Sequence, residues 1–148
     1  MSHEQITVEL FQQENYRFGV RFGASVPNLV ADEPAPLGAG SGPSPVQLLC
    51  AAVGNCLSDS LLFALRKFKQ APEPLQATVV AEVGRNTEGR LRVLGMEATL
   101  RLGVPAARLE HLDRVLGQFE AFCTVTQSVG QGIPITVKVV DADGLVLQ

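Results

Sequence analysis

The spacing of apolar positions changes along this chain, from a period of two near the N-terminus to a helical spacing in the middle and back again. "ITVELFQ" and "YRFGVRFG" alternate around the polar turn "QEN", which predicts a half-buried hairpin. In its second strand Tyr16, Phe18, Val20 and Phe22 share one face, and Arg17 and Arg21 share the other. From Ser44 the signal is helical. Ser44 can cap, Pro45 takes the first helical position, and Gln47 completes a capping box. Up to about Lys69 the apolar residues cover nearly every side, which predicts a long buried helix with Cys56 deep inside it. Asp59 and Ser60 follow Cys56 on the same side of that helix. "LQATVVAEVG" and "RLRVLGMEATLRLGV", joined by "RNTEG", predict a second hairpin. Then "PAARLEHLDRVLGQFEAF" spaces Leu109, Leu112, Val115, Leu116 and Phe119 as one amphipathic helix packed on that hairpin. "CTVTQSVGQG" predicts a short helix opening at Cys123, and "IPITVKVVDADG" a final strand. The segment "VPNLVADEPAPLGAGSGPSP" is too rich in Pro and Gly for a helix or central strand, and predicts a long loop, either a connector or one wall of a site. This element order is α+β.

The length, 148 residues of which 46% are hydrophobic, suits one domain spanning 1–148. The helix from Ser44 to Lys69 offers water so little polar surface that a partner helix is expected to cover it, which predicts a homodimer. The 12 basic residues are scattered and the net charge is -3, so nucleic acid is not an expected partner. The start "MSHEQITVEL" has no basic stretch followed by an apolar run, which points to the cytoplasm. The apolar tract Val46 to Leu65 is interrupted by Gly54, Asn55, Ser58, Asp59 and Ser60. A central Asp costs about 3 kcal/mol in a bilayer, so no membrane association is expected.

Cys50, Cys56 and Cys123 are the three cysteines, without a C-x-x-C, and His3 and His111 are the two histidines. These exclude a disulfide framework and a structural zinc site. What remains is a set of buried free thiols or a redox pair. Asp59 beside Cys56 would raise its pKa, so a reactive Cys56 needs a cation nearby. Cys123 at a helix start would feel the positive end of the dipole, whereas Cys56 in mid-helix would not. Cys50 lies about 120° around the helix from Cys56 and reads as core.

"SPVQLLCAAVGNC" followed by "CTVTQSV" resembles the OsmC/Ohr family of osmotically inducible and organic hydroperoxide resistance proteins, and the lead-in "ADEPAPLGAGSGPSP" resembles a less characterised OsmC-like branch of it. The resemblance implies a two-layer α+β fold with antiparallel sheets and a long central helix, assembled as an intertwined homodimer. It implies a thiol peroxidase for organic hydroperoxides in oxidative stress defence, with Cys56 as the peroxidatic and Cys123 as the resolving thiol. The supporting arginine falls on Arg17 or on Arg21, and no bound cofactor is implied, only an external dithiol reductant, lipoyl-type by analogy. Two departures stand out: the glutamate that fixes the arginine falls on Val46, and the Cys-Pro of the second motif is Cys123-Thr124. The competing function is a dimeric scaffold without turnover, which binds a small apolar ligand or senses redox state through its thiols.

Overall fold

The computed structural model describes residues 2–148, which divide into two compact units, one ending at Leu48 and one running from Leu49 to Gln148. In the first unit, β1 (Glu9–Glu14), β2 (Arg17–Arg21) and β3 (Leu29–Ala31) form an antiparallel sheet in the order β1-β2-β3. Asn15 turns the first hairpin with a left-handed backbone, φ 51°, a conformation that Asn tolerates better than most side chains. The expected hairpin is present, but β1 is exposed along its whole length rather than half-buried. Alternation marks which side chains share a face; it does not supply a neighbour to cover that face.

The predicted long loop begins instead as β3, because Leu29, Val30 and Ala31 add three more alternating positions to the sheet. Beyond β3 the chain gathers around one carboxylate. Asp32 is buried and accepts hydrogen bonds from the backbone N–H of Glu33 (2.8 Å), Ala39 (3.2 Å) and Ser41 (3.1 Å), and from the Ser41 hydroxyl (2.8 Å). Gly42 then passes so close to the Val30 carbonyl that any Cβ there would collide with it. The Ser41 hydroxyl and N–H, helped by the other two donors, hold the Asp32 carboxyl below the usual range despite its burial. A depressed carboxylate pKa stabilises the fold above the ordinary Asp value, and that contribution is lost as pH falls through the folded value. Amide exchange in residues 33–43 is therefore expected to accelerate below about pH 4. Asp32→Asn should remove this acid transition; an unchanged transition in the variant would assign it to another group.

The helix α1 spans Pro45–Lys67, and its start is as the sequence predicts. Ser44 Oγ accepts from the Gln47 N–H (3.2 Å) while Gln47 Oε1 accepts from the Ser44 N–H (2.9 Å). In the second unit β4 (Gln76–Arg85) and β5 (Leu91–Arg101) pair antiparallel, and β6 (Ile135–Val140) joins β5 in parallel, so this sheet is mixed. Val53, Leu57, Leu61 and Leu65, one turn apart along α1, pack in one core with Met96, Ala98, Leu100 and Leu102 from the alternating face of β5 and its end. At Gly54 the helix comes so near β4 that an added Cβ would lie 2.9 Å from Val79 Cγ2.

By length and composition α1 could cross a membrane, but this stripe is the core of the unit. Its other sides are less covered than predicted: Phe63 is 73% exposed, and Cys56 is half-buried rather than deep.

The expected amphipathic helix over 105–122 is broken into three pieces: a 3-10 turn at Ala106–Arg108, α2 at Leu112–Leu116, and a second 3-10 turn at Phe119–Phe122. Leu109 is extended, His111 is left-handed at φ 63°, and Gln118 lies outside the helical region. Val115 and Phe119 are nevertheless buried, with Leu109, Leu112 and Leu116 packed beside them. The apolar spacing therefore predicted the buried side correctly, although the backbone does not run as one helix. The short helix α3 (Thr124–Val129) follows where expected. Buried Asp141, just past β6, ties the start of this crossover from β5 to β6 to the C-terminal turn, accepting from the N–H of Ala106 (2.8 Å), Asp143 (2.9 Å) and Leu145 (2.9 Å).

Candidate active site

Cys56 and Cys123, far apart in sequence, meet in the second unit. Cys56 comes from the middle of α1, and Cys123 from the residue that ends the second 3-10 turn and precedes α3. Cys123 is fully buried, and its thiol donates to Thr126 Oγ1 at 2.9 Å. Cys56 interacts with the Cys123 thiol and with the backbone N–H groups of Val125 and Thr126. The start of α3 therefore lies beside Cys56 as well as Cys123, which helix positions alone did not indicate. Burial is the main influence that pushes the Cys56 thiol pKa up, and the neighbouring thiol adds to it; the two N–H groups pull the other way.

Cys56 also opens onto a cavity of about 460 Å³. Along α1 the lining residues are Cys56, Asp59, Ser60, Phe63, Ala64 and Lys67, which recur each turn on one stripe, and Phe68 follows just past the helix end. The crossover closes the other side with Val115, Phe119 and Phe122. Most of this surface is apolar, and Phe63 and Phe122 leave 73% and 76% of their surface exposed. Asp59, anticipated as a neighbour of the thiol, accepts from Asn55 Nδ2 at 3.0 Å. Cys50, read as core, is half-buried against the core and lines a separate groove with Ala51, Gly54, Asn55, Ala77 and Val79.

Arg17 and Arg21 lie in the first unit, each engaged within the hairpin. Arg17 donates to Gln13 Oε1 (3.1 Å) and pairs with Glu14 (3.3 Å). Arg21 pairs with Glu9 (3.7 Å) and covers the Phe11 ring at 4.9 Å. Val46 leaves the first turn of α1 without an acidic residue. Among the described residues no group of three or more His, Cys, Asp or Glu side chains converges to hold a metal. Sequence reasoning missed Thr126, the two N–H donors and the phenylalanine pair. Only Thr126 carried a local signal, standing three residues beyond Cys123 on a helix start.

Residues 38–138 match the family model described as OsmC-like protein, which covers more than half of the chain. The chain belongs to the OsmC-like family. Solved structures of OsmC-like and related proteins share its fold. An OsmC-like protein of unknown function from Vibrio cholerae aligns with a TM-score of 0.75 at 15% identity, over 93% of this chain and 100% of that one. A hypothetical protein from Aquifex aeolicus gives 0.74 at 18% identity, over 94% and 97%. An organic hydroperoxide resistance protein from Elizabethkingia anophelis gives 0.74 at 15% identity, over 95% and 98%. No curated protein matches the sequence. At these identities the likeness is one of fold, and OsmC-like membership rests on the family model.

Proposed function

We propose that this OsmC-like protein is a thiol peroxidase that reduces organic hydroperoxides, with Cys56 as the attacking and Cys123 as the resolving residue. The observation that carries this is the pairing of a cavity-facing thiol with a second, fully buried thiol beside it. In the first step the Cys56 thiolate bonds to the terminal peroxide oxygen and the O–O bond breaks. The leaving alkoxide takes up a proton to become an alcohol. Sulfur is oxidised by two electrons to sulfenic acid and the peroxide is reduced by two. The Cys123 thiol then attacks that sulfur, forming the disulfide and releasing water. An external dithiol, lipoyl-type by analogy, returns both cysteines to thiols and leaves as its own disulfide. No bound cofactor takes part, and the working form is a cytoplasmic homodimer.

The first step needs thiolate, which the burial of Cys56 opposes. The Val125 and Thr126 N–H groups favour it in part, and the guanidinium of Arg17 or Arg21 is the proposed remainder. Val46 supplies no carboxylate to hold that arginine, and this favours the second reading, a dimeric scaffold that binds a small apolar ligand or senses redox state. The two readings separate on the second-order rate of Cys56 oxidation by an organic hydroperoxide. A hydrogen-bonded ion contact is worth about 1.5 to 3 kcal/mol, so Val46→Glu should speed oxidation by about one to two decades. Arg17→Ala should slow it. If wild type and both variants react like a free thiol in solution, the scaffold reading replaces the peroxidase.

A further inference from the structure

We propose that Thr126 is a third catalytic residue, which relays the proton of the resolving step from the Cys123 thiol to the hydroxyl that leaves Cys56. The proposal rests on the peroxidase reading for the order of events, and it supplies the proton path that the second step of that reading requires.

When the Cys123 sulfur attacks the Cys56 sulfenic acid, the S–S bond forms and the S–O bond breaks. The attacking thiol must give up its proton, and the departing oxygen must gain one to leave as water. Solvent does not reach the first of these groups, because Cys123 is fully buried. Thr126 does reach it. Its Oγ1 accepts from Cys123 Sγ at 2.9 Å, and the residue is itself buried. This contact follows from the local helix: Thr126 stands three residues beyond Cys123, which precedes the first turn of α3. The N–H of the same residue lies beside the Cys56 sulfur, so Thr126 addresses one sulfur with its main chain and the other with its side chain. A hydroxyl both accepts and donates, and among the described residues the Thr126 hydroxyl has no acceptor for its own proton. The carboxylate nearest in sequence to Cys56 is occupied elsewhere, since Asp59 accepts from Asn55 Nδ2 at 3.0 Å. The thiol proton therefore passes to Thr126 Oγ1 while the proton of Thr126 passes to the oxygen on Cys56, and water departs. Thr126 ends as it began. The Cys56 sulfur is reduced by one electron, the Cys123 sulfur is oxidised by one, and no further reactant is consumed.

The fate of the sulfenic acid tests this. Full-length protein carrying Cys50→Ser, so that no third thiol reacts, is oxidised in excess dimedone. Mass spectrometry then counts Cys56 captured by the dione against Cys56 joined to Cys123. That ratio does not depend on how fast the sulfenic acid forms, so it can be read with tert-butyl hydroperoxide or with a large excess of hydrogen peroxide. Thr126→Val keeps the shape of the side chain without the hydroxyl. It should raise the captured-to-joined ratio about tenfold, the worth of one hydrogen bond expressed only in the transition state. Thr126→Ser should restore the wild-type ratio, and Thr126→Ala, also without the hydroxyl, is read beside Val so that one variant that does not fold leaves the other.

A second leaving group separates proton transfer from placement. When Cys56 carries thionitrobenzoate as a mixed disulfide, the group expelled by Cys123 leaves as a stable anion and takes no proton, so Thr126→Val should release it within about twofold of the wild-type rate. An unchanged ratio in Val and Ala, a Ser variant that behaves like them, or equal slowing with both leaving groups overturns the proposal, the last because a misplaced Cys123 would be slow toward either. If tert-butyl hydroperoxide oxidises Cys56 no faster than a free thiol, but the ratio with hydrogen peroxide still depends on the Thr126 hydroxyl, the relay stands and the peroxidase reading falls.

Discussion

Cys56→Ser is expected to reduce hydroperoxide consumption to the rate of buffer alone, while Cys123→Ser should permit a single oxidation and then stop. A serine hydroxyl has no accessible anion at neutral pH and no two-electron oxidation comparable to that of sulfur, so the first step disappears with Cys56. Without Cys123 the first step survives, but the sulfenic acid has no thiol beside it. It should persist long enough to be captured by a dione reagent, with one equivalent of alcohol formed per protein. Cys50 lines a different groove and should not substitute as the resolving thiol. Peptide mapping of the wild type after mild oxidation should show Cys56 joined to Cys123. A Cys56→Ser protein that still consumes hydroperoxide, or a disulfide that includes Cys50, would remove the assignment of both roles.

The largest expected effect on stability comes from Phe119→Ala, at about 3 to 5 kcal/mol. Phe119 is fully buried and belongs to the core shared by α1 and β5. Truncation removes most of an aromatic side chain from an interior that cannot fully collapse around the gap. Against a typical total of about 5 to 15 kcal/mol, that is enough to lower the melting temperature by about 10 °C. Phe122→Ala is the control: three residues away but largely exposed, it should change stability by no more than about 0.5 kcal/mol. Thermal unfolding of the two variants measures the contrast, and equal losses would contradict the burial described for this segment.

The same segment shows where sequence patterning stops being informative. Period alone placed Phe119 on the core side, and it is there. The pattern could not show that His111 turns left-handed and Leu109 extends, because a chain of short turns can keep its apolar residues on one side as well as a helix does. The start of α1 was legible because Ser44 and Gln47 satisfy each other's backbone within four residues. The parallel pairing of β6 was not, since a strand alternates in the same way whichever direction its neighbour runs. At the site, the identity of the two cysteines came from resemblance. The N–H groups of Val125 and Thr126 beside Cys56 could not be read at all, because peptide groups leave no mark on composition and the contact joins distant parts of the chain. The stripe from Cys56 to Lys67 was present in the sequence as helical spacing, but only the facing crossover makes it the wall of a cavity.

Because β6 joins β5 in parallel, everything from Leu102 to Pro134 must be laid across the unit before that pairing can close. Local contacts can form α1 and the β4–β5 hairpin early, whereas closure of a long connection is slow. Cys123 lies inside that connection. During synthesis, therefore, Cys56 emerges and folds into its helix well before its partner can reach it. The newborn chain carries Cys56 without Cys123, and any chemistry that needs both thiols waits until this connection is laid down.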